Sequence, residues 1–123
     1  LYAGDNDIAF GGLSPDCTLA DFDAFVAGIR GVAPDLPVYF ISIKPSISRW
    51  ERWREMRRAN ELIAARTETS SSLHFIDVSE AMLGENGEPL QSLFIEDGLH
   101  LSREGYELWT SIVRPVLIAD LGD

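Results

Sequence analysis

Apolar positions along the chain follow two alternating spacings. Leu19, Phe22, Phe25, Val26 and Ile29 recur at helical intervals behind Ser14-Pro15-Asp16, which supplies capping and first-turn chemistry, and Gly31 and Pro34 mark the end. Val38-Tyr39-Phe40-Ile41-Ser42-Ile43 is a continuous β-branched and aromatic run, the pattern of a strand buried on both faces of a parallel sheet. Lys44-Pro45-Ser46 stops it. A long helix is predicted from about Ser48 to Thr67, with Trp50, Trp53, Met56, Ala59 and Ile63 as its apolar stripe. Leu73 to Val78 reads as another short strand, and Gly84, Asn86, Gly87 and Pro89 crowd a loop. Ser102 caps a final helix that carries Tyr106, Trp109, Ile112 and Val113. At the other end, Leu1-Tyr2-Ala3 is apolar and short, and reads as the last half of a strand.

The order is strand, helix, strand, helix, strand, loop, helix. Such alternation implies right-handed crossovers and an α/β fold, a three-layer α/β/α arrangement around a parallel sheet. In such sheets, chemistry gathers outside the carboxyl ends of the strands. No internal repeat, low-complexity tract or linker interrupts the 123 residues, which suit one domain.

Charge narrows the choice of partner. A net charge of −10 argues against a phosphate backbone, and so against nucleic acid. The basic residues between Arg49 and Arg58 alternate with Glu51 and Glu55, which reads as a salt-bridged helix face. No run approaches the ~18 apolar residues of a membrane span. Cys17 is the single cysteine, so no disulfide within the chain is possible and the compartment stays unassigned.

Two segments carry candidate chemistry. Gly4-Asp5-Asn6-Asp7 follows a strand end, where Asn6 can offer an N–H to a cleft as an oxyanion hole requires; the same residues also suit an ordinary turn. In Asp97-Gly98-Leu99-His100, a carboxylate three residues before a histidine can curl back onto Nδ1–H. That bond fixes the tautomer and leaves Nε2 free as a base. A loop aspartate beside a helix-capping histidine is the structural alternative.

Taken together, these segments resemble the SGNH/GDSL-type serine ester hydrolase superfamily. Gly4-Asp5-Asn6-Asp7 matches its third conserved block, and Asp97-Gly98-Leu99-His100 with Gly105-Tyr106 its fifth. Phe40 to Ser46 with Arg49-Trp50, then Phe75-Ile76-Asp77-Val78, is similar to the bacterial branch, so the likeness spans essentially the whole chain. It implies the SGNH-hydrolase (flavodoxin-like) fold, with residues 1–123 as the C-terminal part of a single domain whose N-terminal strands are missing. It also implies an acyl-enzyme reaction on a small acyl or acetyl ester, without metal or organic cofactor. Asn6 would be the oxyanion donor, His100 the general base and Asp97 its orienting partner.

The family's nucleophilic serine lies in a Gly-Asp-Ser block upstream of the third, and a second oxyanion glycine lies between them. Neither is present in this chain, and Ser14, Ser42, Ser46 and Ser48 lack that context. The expectation is therefore an association with a missing N-terminal segment that carries the serine. Lys44, Ser46, Arg49 and Trp50 follow a strand and can reach the pocket with Asp5 and Asp7; alternatively, Pro45 ends the strand, Ser48 caps the helix and Trp50 packs in the core. The alternative function is a non-catalytic relative that keeps the fold as a binding module.

Overall fold

The computed structural model describes residues 14–121. Ser14 opens the first helix, α1 (Pro15–Val32): its Oγ accepts the Cys17 N–H, and Pro15 sits in the first turn, where its missing N–H costs nothing. Then come strand β1 (Val38–Ile41), a 3-10 turn (Trp50–Arg52), helix α2 (Trp53–Thr67) and strand β2 (Leu73–Ile76). Two more 3-10 turns, Glu80–Met82 and Gln91–Leu93, lead to helix α3 (Arg103–Leu121). The half-strand expected at Leu1-Tyr2-Ala3 lies outside the described residues.

β1 and β2 pair in parallel, Val38 opposite Leu73 and Ile41 opposite Ile76. Side chains of a strand alternate between the faces, so each face recruits its own helices. Val38 and Phe40 pack with α1 and α2, where Phe22 meets Phe40 edge-on at 5.5 Å and Met56, Ala59 and Ile63 fill the space between. Ile41 turns to the other face, where Leu108, Trp109, Ile112 and Val113 of α3 pack over Val78, Met82, Leu93, Phe94 and Leu101. Helices on both faces of a parallel sheet are the three-layer α/β/α architecture expected from the alternation.

Both strands end earlier than the apolar runs suggested. The Ser42 N–H still donates to the Ile76 carbonyl at 2.9 Å, but β2 then turns at Asp77. Asp77 Oδ1 accepts the Ser42 hydroxyl (3.1 Å), the Ser79 N–H (2.8 Å) and the Ser79 hydroxyl (2.5 Å), while Ser42 Oγ accepts the Val78 N–H at 2.9 Å. Among the described residues Ile43 is left without a strand beside it. Asn60 of α2 takes that place, accepting the Ile43 N–H at 2.7 Å and donating to the Ile43 carbonyl at 3.0 Å. A buried amide thus substitutes for one rung of the ladder.

The long helix expected from Ser48 also differs. Ser48 caps nothing: the 3-10 turn begins after Arg49, without a side-chain cap, and the Ser48 N–H is committed to the Gly98 carbonyl at 2.9 Å. Of the acids expected to pair with this basic stretch, Glu55 meets Arg52 at 3.8 Å, while Arg57 (3.8 Å) and Arg58 (3.2 Å) both turn to Glu61. Among the described residues no helix is long and apolar enough to cross a membrane.

Beside β1 a groove of about 390 Å³ opens between Phe25 and Ile29 of α1 and Val113 and Leu117 of α3. Phe25 of α1 and Tyr106 and Ile118 of α3 remain exposed, so the apolar stripes of these helices are wider than β1 and β2 cover.

Candidate active site

The histidine segment is a short hairpin that leads into α3. Phe94 and Leu101 face each other in an antiparallel bridge, flanked by Ile95 N–H to the His100 carbonyl and Ser102 N–H to the Leu93 carbonyl, both 2.9 Å. Residues 96–99 form the turn. Gly98 has φ +65°, a conformation that glycine adopts without steric cost, and its N–H donates to the Ile95 carbonyl at 3.0 Å. A Cβ on Gly98 would lie 3.1 Å from Ile47 Cβ, so the turn rests directly on the loop after β1. Together with the Ser48–Gly98 bond, that contact fixes the turn at the carboxyl edge of the sheet.

Within the turn Asp97 is pulled in from three directions. Its Oδ1 accepts the N–H groups of Leu99 (2.8 Å) and His100 (2.9 Å), and its Oδ2 lies 2.5 Å from His100 Nδ1. The His100 bond first, then the two backbone N–H groups, lower the Asp97 pKa from 3.8 to about 2. Asp97 therefore stays a carboxylate and holds Nδ1 as the protonated nitrogen. The His100 side chain is 69 % exposed, and its Nε2 has no partner among the described residues. A base with a fixed tautomer and an open nitrogen can take a proton from a hydroxyl and return it.

Helix α3 supplies the other anchor. Ser102 caps it as expected: its Oγ accepts the Gly105 N–H at 3.2 Å and its own hydroxyl donates to the Ser92 carbonyl at 2.6 Å. Tyr106, carried by the same helix, is 60 % exposed.

The other expected site residues are distributed unevenly. Asn6, Asp5 and Asp7 lie outside the described residues. Ser46 is 1 % exposed, and its hydroxyl has no partner among the described residues. Lys44 and Arg49 are buried and both are engaged. Trp50 belongs to neither core cluster. Its ring stacks on Trp53 at 6.2 Å, and the pair lines a groove of about 780 Å³ between α2 and the 79–87 loop. His74 stacks on Tyr39 at 4.6 Å, a structural role within the sheet. Among the described residues no group of three metal-ligating side chains forms.

Sequence reading overlooked the Ser42–Asp77–Ser79 network and the Asn60 clamp. Asn60 carried a signal, a polar residue between Ala59 and Ile63 on the apolar stripe. Asp77 carried another, an acid placed directly after a strand.

The structure is an α/β fold in which the Asp97–His100 pair sits in a turn resting on the loop after β1. The family model described as GDSL-like Lipase/Acylhydrolase matches residues 1–108, and the chain belongs to that family. No curated protein matches the sequence. Several solved structures share the fold, that of the SGNH-hydrolase esterases. A Streptococcus pneumonia protein assigned as a platelet activating factor superposes with TM-score 0.83 at 21% identity, covering 95% of this chain and 57% of its own. A carbohydrate esterase family 3 protein from Talaromyces cellulolyticus gives 0.80 at 19% identity, covering 96% and 55%. A GDSL-like lipase from Bacteroides thetaiotaomicron gives 0.74 at 22% identity, covering 97% and 60%. The chain thus spans somewhat more than half the length of the structures it matches.

Proposed function

We propose that this chain is the C-terminal, histidine-bearing part of a single SGNH hydrolase domain, which cleaves a carboxylic ester through an acyl-enzyme. The observation that carries the reading is the Asp97–His100 pair, with Nδ1 held by a carboxylate and Nε2 left open. In this mechanism His100 Nε2 takes the proton of a serine hydroxyl as its oxygen attacks the ester carbonyl. Asn6 donates its side-chain N–H to the oxyanion. His100 then returns the proton to the departing alcohol, and a water molecule repeats the sequence to release the acid. Asp97 stays ionised throughout and stabilises the imidazolium.

The nucleophile belongs to a Gly-Asp-Ser segment outside these residues. One feature supports that placement: the matched structures are longer by nearly half of their own length.

The test is a fluorophosphonate serine probe with intact-mass analysis of the complete gene product, alongside turnover of a short-chain aryl ester. Labelling of a serine outside residues 1–123 together with turnover supports the reading. A complete product with neither labelling nor turnover overturns it and leaves a non-catalytic relative of the same fold.

A further inference from the structure

Ile95 and His100 occupy opposite positions of the hairpin next to the Phe94–Leu101 bridge. Side chains alternate along both arms, so where Phe94 and Leu101 turn inward (6 % and 8 % exposed), Ile95 and His100 turn outward together. Directly opposed residues on one face bring their Cβ atoms to roughly 4.5–5.5 Å. Ile95 is 51 % exposed and so stands in the open beside the base. Ile47, 40 % exposed, packs on Gly98 two residues from the same imidazole. Of the other large exposed apolar residues, Phe25, Leu36, Tyr106 and Ile118 line the grooves of α1 and α3.

We infer that Ile95, with Ile47 behind the turn, is the specificity-determining surface on the leaving-group side of the site, and that the preferred ester carries an apolar alcohol. The inference rests on the proposed ester hydrolysis. The base that protonates a leaving alcohol must lie within hydrogen-bond reach of its oxygen, so the alcohol's first carbons lie against whatever flanks the imidazole. Here that flank is aliphatic. A methylene moved from water onto it gains up to about fourfold in binding, the equivalent of ~0.8 kcal/mol.

The experiment uses the complete gene product and keeps the acyl group constant: ethyl, butyl and hexyl acetate, with acetate release giving kcat/KM for each. For the unaltered protein kcat/KM rises along the series, by up to about fourfold per methylene at first. Ile95→Asn lowers the hexyl ester more than the ethyl ester and flattens the series, whereas Ile95→Leu, which keeps an aliphatic surface, preserves it. A flat or falling series in the unaltered protein, or an Ile95→Asn variant that loses all three esters equally, overturns the inference and leaves ester hydrolysis standing. Hydrolysis of no ester at all overturns the inference together with the proposed function.

Discussion

Gly105 and Leu93 approach so closely that a Cβ on the glycine would lie 2.3 Å from the Leu93 carbonyl oxygen and about 3 Å from the Leu101 side chain. The first turn of α3 is thereby pressed onto the hairpin that carries His100, and the Ser102 N–H to Leu93 bond locks the same junction. The glycine at this position answers to packing, since its backbone is ordinary helix.

Gly105→Ala is therefore expected to destabilise the fold despite the better helix propensity of alanine. That propensity offers up to about 1 kcal/mol. A clash with backbone oxygen cannot be relieved by a rotamer change, and overpacking of this kind costs about 1–3 kcal/mol or more. Urea denaturation should show a net loss; a stabilised variant would contradict the close approach.

Asn60→Ala should cost about 2–4 kcal/mol, because it leaves the buried N–H and C=O of Ile43 without partners as well as a small void. Asn60→Asp recovers only part of this loss, since it keeps the acceptor for the Ile43 N–H but sets an oxygen against the Ile43 carbonyl. Equal stability of the three proteins in denaturant would rule out the clamp.

Acid sensitivity should have a contribution from Asp97. Its carboxyl titrates at about 2 in the fold against 3.8 in the open chain, so the unfolded state binds the proton first as pH falls. The stabilising contribution is complete well above the unfolded value and is lost progressively from about pH 5 down to about pH 1, through the folded value. Asp97→Asn should give a shallower fall in stability over that window. An unchanged slope would mean that the pair is not formed in solution.

In the complete protein His100→Ala should abolish ester turnover, and Asp97→Asn should lower kcat by up to about 10⁴ by releasing the tautomer. Asn6→Ala should cost about a hundredfold or more in kcat if its side chain donates to the oxyanion. Initial-rate kinetics on an aryl ester decide all three; turnover surviving His100→Ala would remove the proposed mechanism.

Local patterns were readable where a residue's neighbours in sequence are also its partners in space. Ser14 and Ser102 cap the helices they precede. Asp97 reaches His100 because three residues with a glycine between them are enough for the turn. Strand ends were less legible. Ile43 and Val78 look like strand residues, but the ladder stops when the partner chain turns away, and Asp77 decides that turn through contacts with Ser42 and Ser79. Trp50 has the spacing of a core residue and instead stacks on Trp53 at a groove, because the chain enters α2 through a 3-10 turn.

The sequence by itself determined the alternation of strands and helices, the carboxylate–histidine turn and the family, because hydrophobic period, capping chemistry and short motifs are all local. Only the tertiary structure decided where that turn is held, which strand residue Asn60 completes, and that Ile95 lies opposite His100 across the hairpin. Those relationships join positions distant in the chain or opposed across a hairpin, and the packing of β1, α2 and α3 around one sheet edge creates them.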